Sequence, residues 1–220
     1  MLPFNQKYIC WDSETCGLNL VSVKPWQIAW ILATGKEITN RFNRFLFWPD
    51  LEISEGAARV TGFDIDYYES TGKRNQTYRV RGKVVNTLNP AVVWEEFSKY
   101  LYDSERIVIG QNVIGYDQFV AASLQRYLGE KPDYSYLPRL YDTQVLGKAY
   151  KEGLEKPTSG DFLAWEYKIK HDKTLKAKSS QLYQLKNLGI PFDESKLHDG
   201  LFDVECTFKI FLELKKRMNF

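Results

Sequence analysis

Two carboxylates stand two positions apart where an apolar run ends, in the segment WDSETCG of residues 11–17. Alternate side chains of a β-strand point to the same face, so Asp12 and Glu14 are expected to lie side by side. Burying two like charges together is unfavourable because both lose hydration and they repel each other. The chain therefore has to fold in a way that brings a compensating group to this point.

The hydrophobic pattern predicts three strands followed by alternating helices and strands. Residues 7–13, 26–34 and 37–48 have the composition of strands, and Gly35-Lys36 predicts a hairpin turn between the last two. Helices are predicted over residues 55–60, 91–103, 116–129, 141–150 and 200–218, with two short helices before the last and a buried strand over 106–110. This order favours a mixed sheet flanked by helices, in one α/β domain that spans residues 1–220.

Composition restricts the classes of protein to which this chain can belong. Its 220 residues are 44% hydrophobic, enough for a sizeable core, and its net charge of +2 means that any nucleic-acid-binding surface must be local. Three cysteines without a paired motif, and a first segment that does not resemble a secretion signal, predict a cytoplasmic protein. No apolar run approaches about 18 residues, so no membrane partner is expected. The oligomeric state stays open.

Two further acids stand where apolar residues are expected. Asp117 and Asp203 each begin a helical stripe that is otherwise apolar. Either acid alone is equally well explained as a helix cap or as a first-turn acid favoured by the helix dipole. Together with Asp12 and Glu14, however, they could converge on one point. A site made only of carboxylate oxygens suits Mg²⁺ or Mn²⁺, and such a cation would offset the repulsion between the acids.

Three motifs, in order along the chain, resemble those of one enzyme family. They are DSETCGL at 12–18, IGQNVIGYD at 109–117 and HDGLFD at 198–203, and the segments SEGAARVTG at 54–62 and LYDTQVLGKAY at 140–150 agree as well. The chain resembles the histidine branch of the DEDD 3′–5′ exonucleases, the DnaQ-like group that contains polymerase proofreading subunits, ribonuclease T and oligoribonuclease. The five-residue step from Asn112 to Asp117 is similar to that of phage polymerase exonuclease domains.

The resemblance implies a ribonuclease H-like fold, a mixed five-stranded sheet flanked by helices, and a site for two metal ions, Mg²⁺ or Mn²⁺. Asp12, Glu14 and Asp203 would be direct ligands, and Asp117 would hold the second ion. By the same resemblance, a further set of residues would contact the substrate: Thr15, Leu18, Thr61, Gly62, Asn112 and Tyr116.

His198 would be the general base that takes the proton from the attacking water. Five positions on an ideal helix turn through about 140° beyond a full turn, so His198 and Asp203 cannot share a helical face. Gly200 allows the chain to bend between them, which predicts a loop position for His198. The neighbouring carboxylate of Asp199 predicts a His198 pKa above the ordinary value of about 6.5.

Residues 71–88 contain five basic residues and no acid, and we interpret them as an inserted loop or hairpin. In a hairpin arm, Arg79, Arg81 and Lys83 would share one face and follow a phosphate backbone. Tyr78 would then offer a stacking surface. A solvated loop without a role in binding is the alternative.

These features predict a metal-dependent 3′–5′ exonuclease that hydrolyses single-stranded nucleic acid from a free 3′ end and releases nucleoside 5′-monophosphates. We expect DNA rather than RNA as the substrate, although the sequence leaves both open, and a polymerase or another replication protein is a candidate partner. Two alternatives stay open as well: an oligoribonuclease-like hydrolase of short RNA, and a non-catalytic nucleic-acid-binding module on the same fold.

Overall fold

The computed structural model describes residues 5–158 and 160–220; residues 1–4, on which the expected lack of a secretion signal partly rests, lie outside the described residues. The strands are β1 (Lys7–Thr15), β2 (Pro25–Thr34), β3 (Glu37–Phe45), β4 (Thr77–Val80), β5 (Lys83–Asn86), β6 (Arg106–Gly110) and β7 (Leu140–Asp142). The helices are α1 (Glu55–Thr61), α2 (Ile65–Tyr67), α3 (Lys73–Asn75), α4 (Pro90–Leu101), α5 (Asp117–Tyr127), α6 (Thr143–Lys151), α7 (Phe162–His171), α8 (Gln181–Leu188) and α9 (Gly200–Arg217). Within the described ranges, no helix combines the length and the apolar character that a membrane span requires.

The main sheet has five strands in the order β3-β2-β1-β6-β7. β1, β2 and β3 form an antiparallel meander, whereas β6 runs parallel to β1 and β7 runs parallel to β6. The predicted α/β fold with a mixed five-stranded sheet is therefore confirmed. The helix predicted over 141–150 starts too early, because residues 140–142 pair with β6 and α6 begins only at Thr143.

The two faces of β1 enter two separate parts of the core. Trp11 packs on α4 on one side of the sheet, and Tyr8 packs on α9 on the other side. Because strand side chains alternate, Asp12 and Glu14 belong to the same row as Tyr8 and point to the face that α9 covers. α9, the last helix described, is thus packed against the face of β1 that carries Asp12 and Glu14.

α9 begins at a capped turn and packs its apolar face on the sheet. The carboxylate of Asp199 accepts a 3.2 Å hydrogen bond from the backbone N–H of Phe202 and so caps the helix. Val204, Phe208 and the other inward-facing side chains are buried against β1, β2 and β6. Asp203 lies in the first turn of this helix, so packing of α9 carries its carboxylate to the sheet.

β4 and β5 form a separate hairpin within the basic segment, and its geometry differs from the prediction. Val80 lies opposite Lys83, so Arg81 and Gly82 form the turn. Both turn residues have positive φ, +49° and +75°, as a two-residue hairpin turn of the right twist requires. Arg81 therefore belongs to the turn and not to a strand face.

The predicted shared face of Arg79, Arg81 and Lys83 is accordingly wrong. Arg79 lies opposite Val84, one position from the Val80–Lys83 pair, so the side chains of Arg79 and Lys83 point to opposite faces of the hairpin. The predicted stacking surface is also wrong, because the Tyr78 side chain is fully buried and its hydroxyl donates a 2.6 Å hydrogen bond to a backbone carbonyl.

Candidate active site

The carboxylates of Asp12, Glu14 and Asp203 converge where the end of β1 meets the first turn of α9. One oxygen from each lies within 4.8 Å of the other two. The first two come from one face of β1 through strand alternation, and the third comes from the helix that packs on this face. Three of the four acids that the sequence singles out thus form one cluster.

This clustering is electrostatically unfavourable without a cation. Burial, followed by the charges of Asp203 and Asp117, raises the pKa of Glu14 to about 8. Burial also raises the pKa of Asp203 to about 7 and that of Asp12 well above its ordinary range. Among the described residues, the buried Oδ1 of Asp203 has no hydrogen-bond partner. Three clustered carboxylates, with one buried oxygen that lacks a partner, fit a hard divalent cation such as Mg²⁺ or Mn²⁺.

Asp117 lies beside the three-carboxylate cluster but is not part of it. It is the first residue of α5, and its side chain is buried. Its Oδ1 accepts a 2.5 Å hydrogen bond from the hydroxyl of Ser13, the residue between the two acids of β1. Burial raises the pKa of Asp117 to about 7 against the effect of this hydrogen bond. Its role as a ligand for a second ion stays a prediction.

His198 lies on the loop before α9, and its backbone is in the left-handed region with φ of +65°. Its backbone N–H donates a 2.9 Å hydrogen bond to Oδ2 of Asp203. The predicted increase in its pKa is wrong, because partial burial and then the positive charge of Arg81 lower the pKa of His198. The carboxylate of Asp199, which the sequence places beside the ring, caps α9 instead.

Thr15 and Tyr116, two of the predicted substrate contacts, meet at the end of β1. Their hydroxyl oxygens lie 2.5 Å apart, and both are within hydrogen-bond distance of the Gly17 carbonyl, at 3.1 and 2.6 Å. This contact ties β1 to the segment before α5. Leu18 follows directly, is 86% exposed, and lines a groove of about 410 Å³.

Thr61, Gly62 and Asn112 make contacts within the protein. The buried hydroxyl of Thr61 donates a 2.9 Å hydrogen bond to the carbonyl of Ala57, one turn earlier in α1. Gly62 ends this helix in the left-handed region with φ of +76°. Oδ1 of Asn112 accepts a hydrogen bond from the ammonium of Lys170. Substrate binding by these residues stays a prediction.

The three basic residues of the hairpin have different surroundings. Arg79 forms an ion pair with Asp64 at 3.3 Å and lies 4.2 Å above the ring of Tyr67. Lys83 is exposed. Arg81 reaches the loop of His198, where its guanidinium donates to the carbonyl of Leu197.

Asp142 is a fully buried carboxylate that the sequence patterns above do not single out. Its oxygens accept hydrogen bonds of 2.9, 3.0 and 2.9 Å from the backbone N–H groups of Asn112, Ile114 and Gln144. It therefore holds the segment between β6 and α5 that leads into Asp117. A signal was present, because an aspartate directly before the first threonine of an apolar helical stripe is typical of a helix N-cap.

Comparison with known proteins places the fold among those of the exonuclease I structures; no protein-family model and no curated protein sequence matches this chain. The zinc-bound complex of E. coli exonuclease I with single-stranded DNA aligns with a TM-score of 0.69 at 16% identity, over 98% of this chain and 41% of that chain. The E. coli enzyme in complex with a dA16 oligonucleotide aligns with a TM-score of 0.67 at 16% identity, over 97% and 41%. A moderately thermophilic exonuclease I from Methylocaldum szegediense aligns with a TM-score of 0.68 at 17% identity, over 97% of this chain and 41% of that chain. The chain spans about two fifths of these structures, and the likeness at this identity shows a shared fold.

Proposed function

We propose that this chain is a metal-dependent 3′–5′ exonuclease that hydrolyses phosphodiester bonds of single-stranded nucleic acid and releases nucleoside 5′-monophosphates. The observation that carries the proposal is the convergence of one oxygen each from Asp12, Glu14 and Asp203 within 4.8 Å. The shared fold supports it, since the similar E. coli structures contain single-stranded DNA or a dA16 oligonucleotide. For the same reason, DNA is the proposed substrate.

Asp12, Glu14 and Asp203 would hold Mg²⁺ or Mn²⁺, and Asp117 would complete a site for two ions. When bound, such ions stabilise the charge that develops on the attacking and leaving oxygens during displacement at phosphorus. The contribution of the chain is to hold three carboxylates together, two from β1 and one from the first turn of α9, with Asp117 beside them at the start of α5.

His198 is the proposed general base. A base must be neutral to accept a proton, and a pKa below the ordinary value keeps the imidazole mostly neutral near pH 7. The hydrogen bond from its backbone N–H to Asp203 keeps its loop beside the carboxylates. The backbone from which the imidazole extends is thereby held close to the place where the proton would be removed.

A single strand suits such a site because its flexible end can bend and its bases can pack on apolar side chains. Leu18, exposed beside the groove, is proposed to contact the terminal base. We further propose that residues 1–220 act as one exonuclease domain, with a polymerase or replication protein as partner. A cytoplasmic location is part of the same proposal, supported by three free cysteines.

The test uses linear single strands of DNA and RNA that are labelled at either end, with Mg²⁺, Mn²⁺ or a chelator. A 5′ label should give a ladder and a 3′ label only mononucleotide at early times, and the chelator should stop both. Cleavage of a circular single strand would contradict the exonuclease proposal. Activity confined to the shortest RNA would indicate an oligoribonuclease-like enzyme, and binding without cleavage would indicate the non-catalytic module.

A further inference from the structure

The turn of the β4–β5 hairpin reaches the loop that carries His198. The guanidinium of Arg81 donates a hydrogen bond through Nη2 to the carbonyl of Leu197, and one of 3.4 Å through Nη1 to the carbonyl of Ser195. Its Nε donates a 3.4 Å hydrogen bond to the carbonyl of Thr61. One side chain thus links the hairpin, the end of α1 and the loop before α9.

The hairpin turn is itself held in place. The backbone N–H of Arg81 donates a 2.8 Å hydrogen bond to the carbonyl of Gly62, and that of Asp64 donates a 2.9 Å bond to the carbonyl of Arg79. A Cβ on Gly62 would lie 2.7 Å from Cγ of Arg81, so a residue without a side chain is needed where the arginine passes. The guanidinium therefore extends from a fixed base.

The backbone of His198 needs this support. A left-handed φ is unfavourable for a residue with a Cβ and persists where the surroundings hold it. The Leu197 carbonyl and the His198 N–H belong to one peptide group. Arg81 binds the carbonyl of this peptide, and Asp203 binds its N–H. The two contacts hold opposite sides of the same rigid plane.

We propose that Arg81 is a positioning residue for His198: its guanidinium holds the 197–198 peptide against Asp203 and thereby fixes the backbone from which the imidazole extends. The kinetic consequence rests on the proposed exonuclease function. An arginine suits the task because its planar fork can donate to two carbonyls at once, whereas the ammonium of lysine is a compact charge on a flexible stem. Direct contact with a substrate phosphate is the competing role for Arg81.

A double-mutant cycle separates the two roles. Arg81→Ala should lower kcat roughly 10- to 100-fold through misplacement of the base, with KM changed less than about twofold. The variant with both Arg81→Ala and His198→Ala should be no slower than His198→Ala alone, because positioning has no effect once the base is gone. Arg81→Lys should restore little of the lost rate. If the reductions in kcat caused by Arg81→Ala and His198→Ala were additive in the double variant, and if Arg81→Ala also raised KM, Arg81 would be assigned to substrate binding and the proposal would be overturned.

Arg41→Ala is the matched control. Arg41 is an exposed arginine that also reaches α9, through a 2.6 Å contact with Glu205, but it lies away from the 197–198 peptide. Its loss should leave kcat and KM unchanged. If Arg81→Ala fails to fold, Arg81→Lys carries the same comparison, since it keeps the charge and removes the fork.

Hydrogen–deuterium exchange tests the positioning role without reference to activity. Amides of residues 195–199 should exchange roughly tenfold faster in Arg81→Ala than in the wild type, and Arg41→Ala should leave them unchanged. Equal exchange in Arg81→Ala and the wild type would overturn the positioning role even in an active enzyme. Faster exchange in a protein that cleaves no nucleic acid would support the contact and contradict only the proposed function.

Discussion

Asp12 and Glu14 continue a row of β1 side chains whose earlier members, Tyr8 and Cys10, are fully buried. Apolar residues at these two positions would pack against α9 without any electrostatic cost. The observed acids instead have strongly raised pKa values, because burial and the neighbouring carboxylates disfavour their charged forms. Such a conflict between stability and residue type is typical of a functional site.

The first prediction concerns these two acids. Asp12→Asn and Glu14→Gln should abolish cleavage, because each removes a metal-binding oxygen while keeping the shape of the side chain. In the presence of a chelator at pH 8, both variants should melt at the same temperature as the wild type or higher, since each replaces a carboxyl group whose ionised form is disfavoured in this cluster with a neutral amide. Thermal melting and a gel assay of end-labelled DNA measure the two effects.

A matched control for this pair is Glu95→Gln. Glu95 is an exposed acid of α4 that pairs with Lys99 at 3.1 Å, so its loss should change neither activity nor melting temperature appreciably. More than a few per cent of wild-type turnover in either β1 variant would show that the cluster is not the metal site.

The second prediction concerns the pH dependence of catalysis. Burial and the charge of Arg81 lower the His198 pKa from its ordinary value of 6.5, so the neutral base is already dominant at pH 7. With saturating metal, kcat should rise with pH along an acid limb whose midpoint lies below 6.5. Bound cations would shift the midpoint further in the same direction.

His198→Ala should remove this limb and lower kcat roughly 10²- to 10⁴-fold. Steady-state kinetics between pH 5 and 8.5 provide the measurement. A midpoint above 7, or an identical profile in the variant, would argue against His198 as the base.

At the level of elements, the site depends on how the segment between β6 and α5 is fixed. This segment brings Asp117 to the sheet. The carboxylate of Asp142, at the end of β7, accepts two backbone hydrogen bonds from this segment and one from the start of α6. The short strand β7 therefore positions a site residue that lies far from it in the sequence.

The third prediction follows from these bonds. Asp142→Ala should lower the free energy of unfolding by about 3 kcal/mol or more, because it removes a helix cap and leaves further buried N–H groups without partners. Asp161→Ala is the control, since Asp161 caps α7 at an exposed position with one 3.0 Å hydrogen bond and should cost only about 1 kcal/mol. Urea unfolding of both variants gives the comparison, and equal losses would contradict this account of Asp142.

Local patterns predicted the elements that carry the acids, and contacts distant in sequence decided what the patterns missed. The alternation of β1 and the apolar stripes after Asp117 and Asp203 are periodic signals that tertiary packing preserves. The surroundings of His198 are different, because Asp199 is next to it in sequence but turns to cap α9, while Arg81 comes from a distant hairpin. The burial of Tyr78 escapes prediction for a related reason, because the residues that cover its side chain, such as Leu46 and Trp48, lie outside the hairpin.

For the whole molecule, the acid cluster makes stability depend on pH. The pKa values of Glu14, Asp117 and Asp203 are raised to about 8, 7 and 7 in the folded state. The folded protein therefore holds protons that the unfolded chain releases at lower pH, and the free energy of unfolding falls as pH rises through these values. The contribution of these three carboxyl groups to the free energy of unfolding is fully present below about pH 4, where they are protonated in both the folded and the unfolded chain.

The fourth prediction is that a chelated sample loses melting temperature between pH 5 and 8 and that Mg²⁺ or Mn²⁺ restores it. Cations bind the ionised carboxylates, so the increase in melting temperature on addition of metal should be larger at pH 8 than at pH 5. Asp12→Asn should reduce both the pH dependence and the metal effect. An equal metal effect at the two pH values would indicate binding elsewhere.

The meeting of β1 with the first turn of α9 has a consequence for synthesis in the cell. A ribosome makes β1 among the first elements and α9 after all the others described, so no nascent chain that ends before Asp203 can assemble the three-carboxylate cluster. The fold of the sheet can begin to form while the chain is still emerging, but the three-carboxylate cluster is complete only after α9 has docked. The proposed nuclease activity would therefore arise only after Asp203 has left the ribosome, however early the sheet forms.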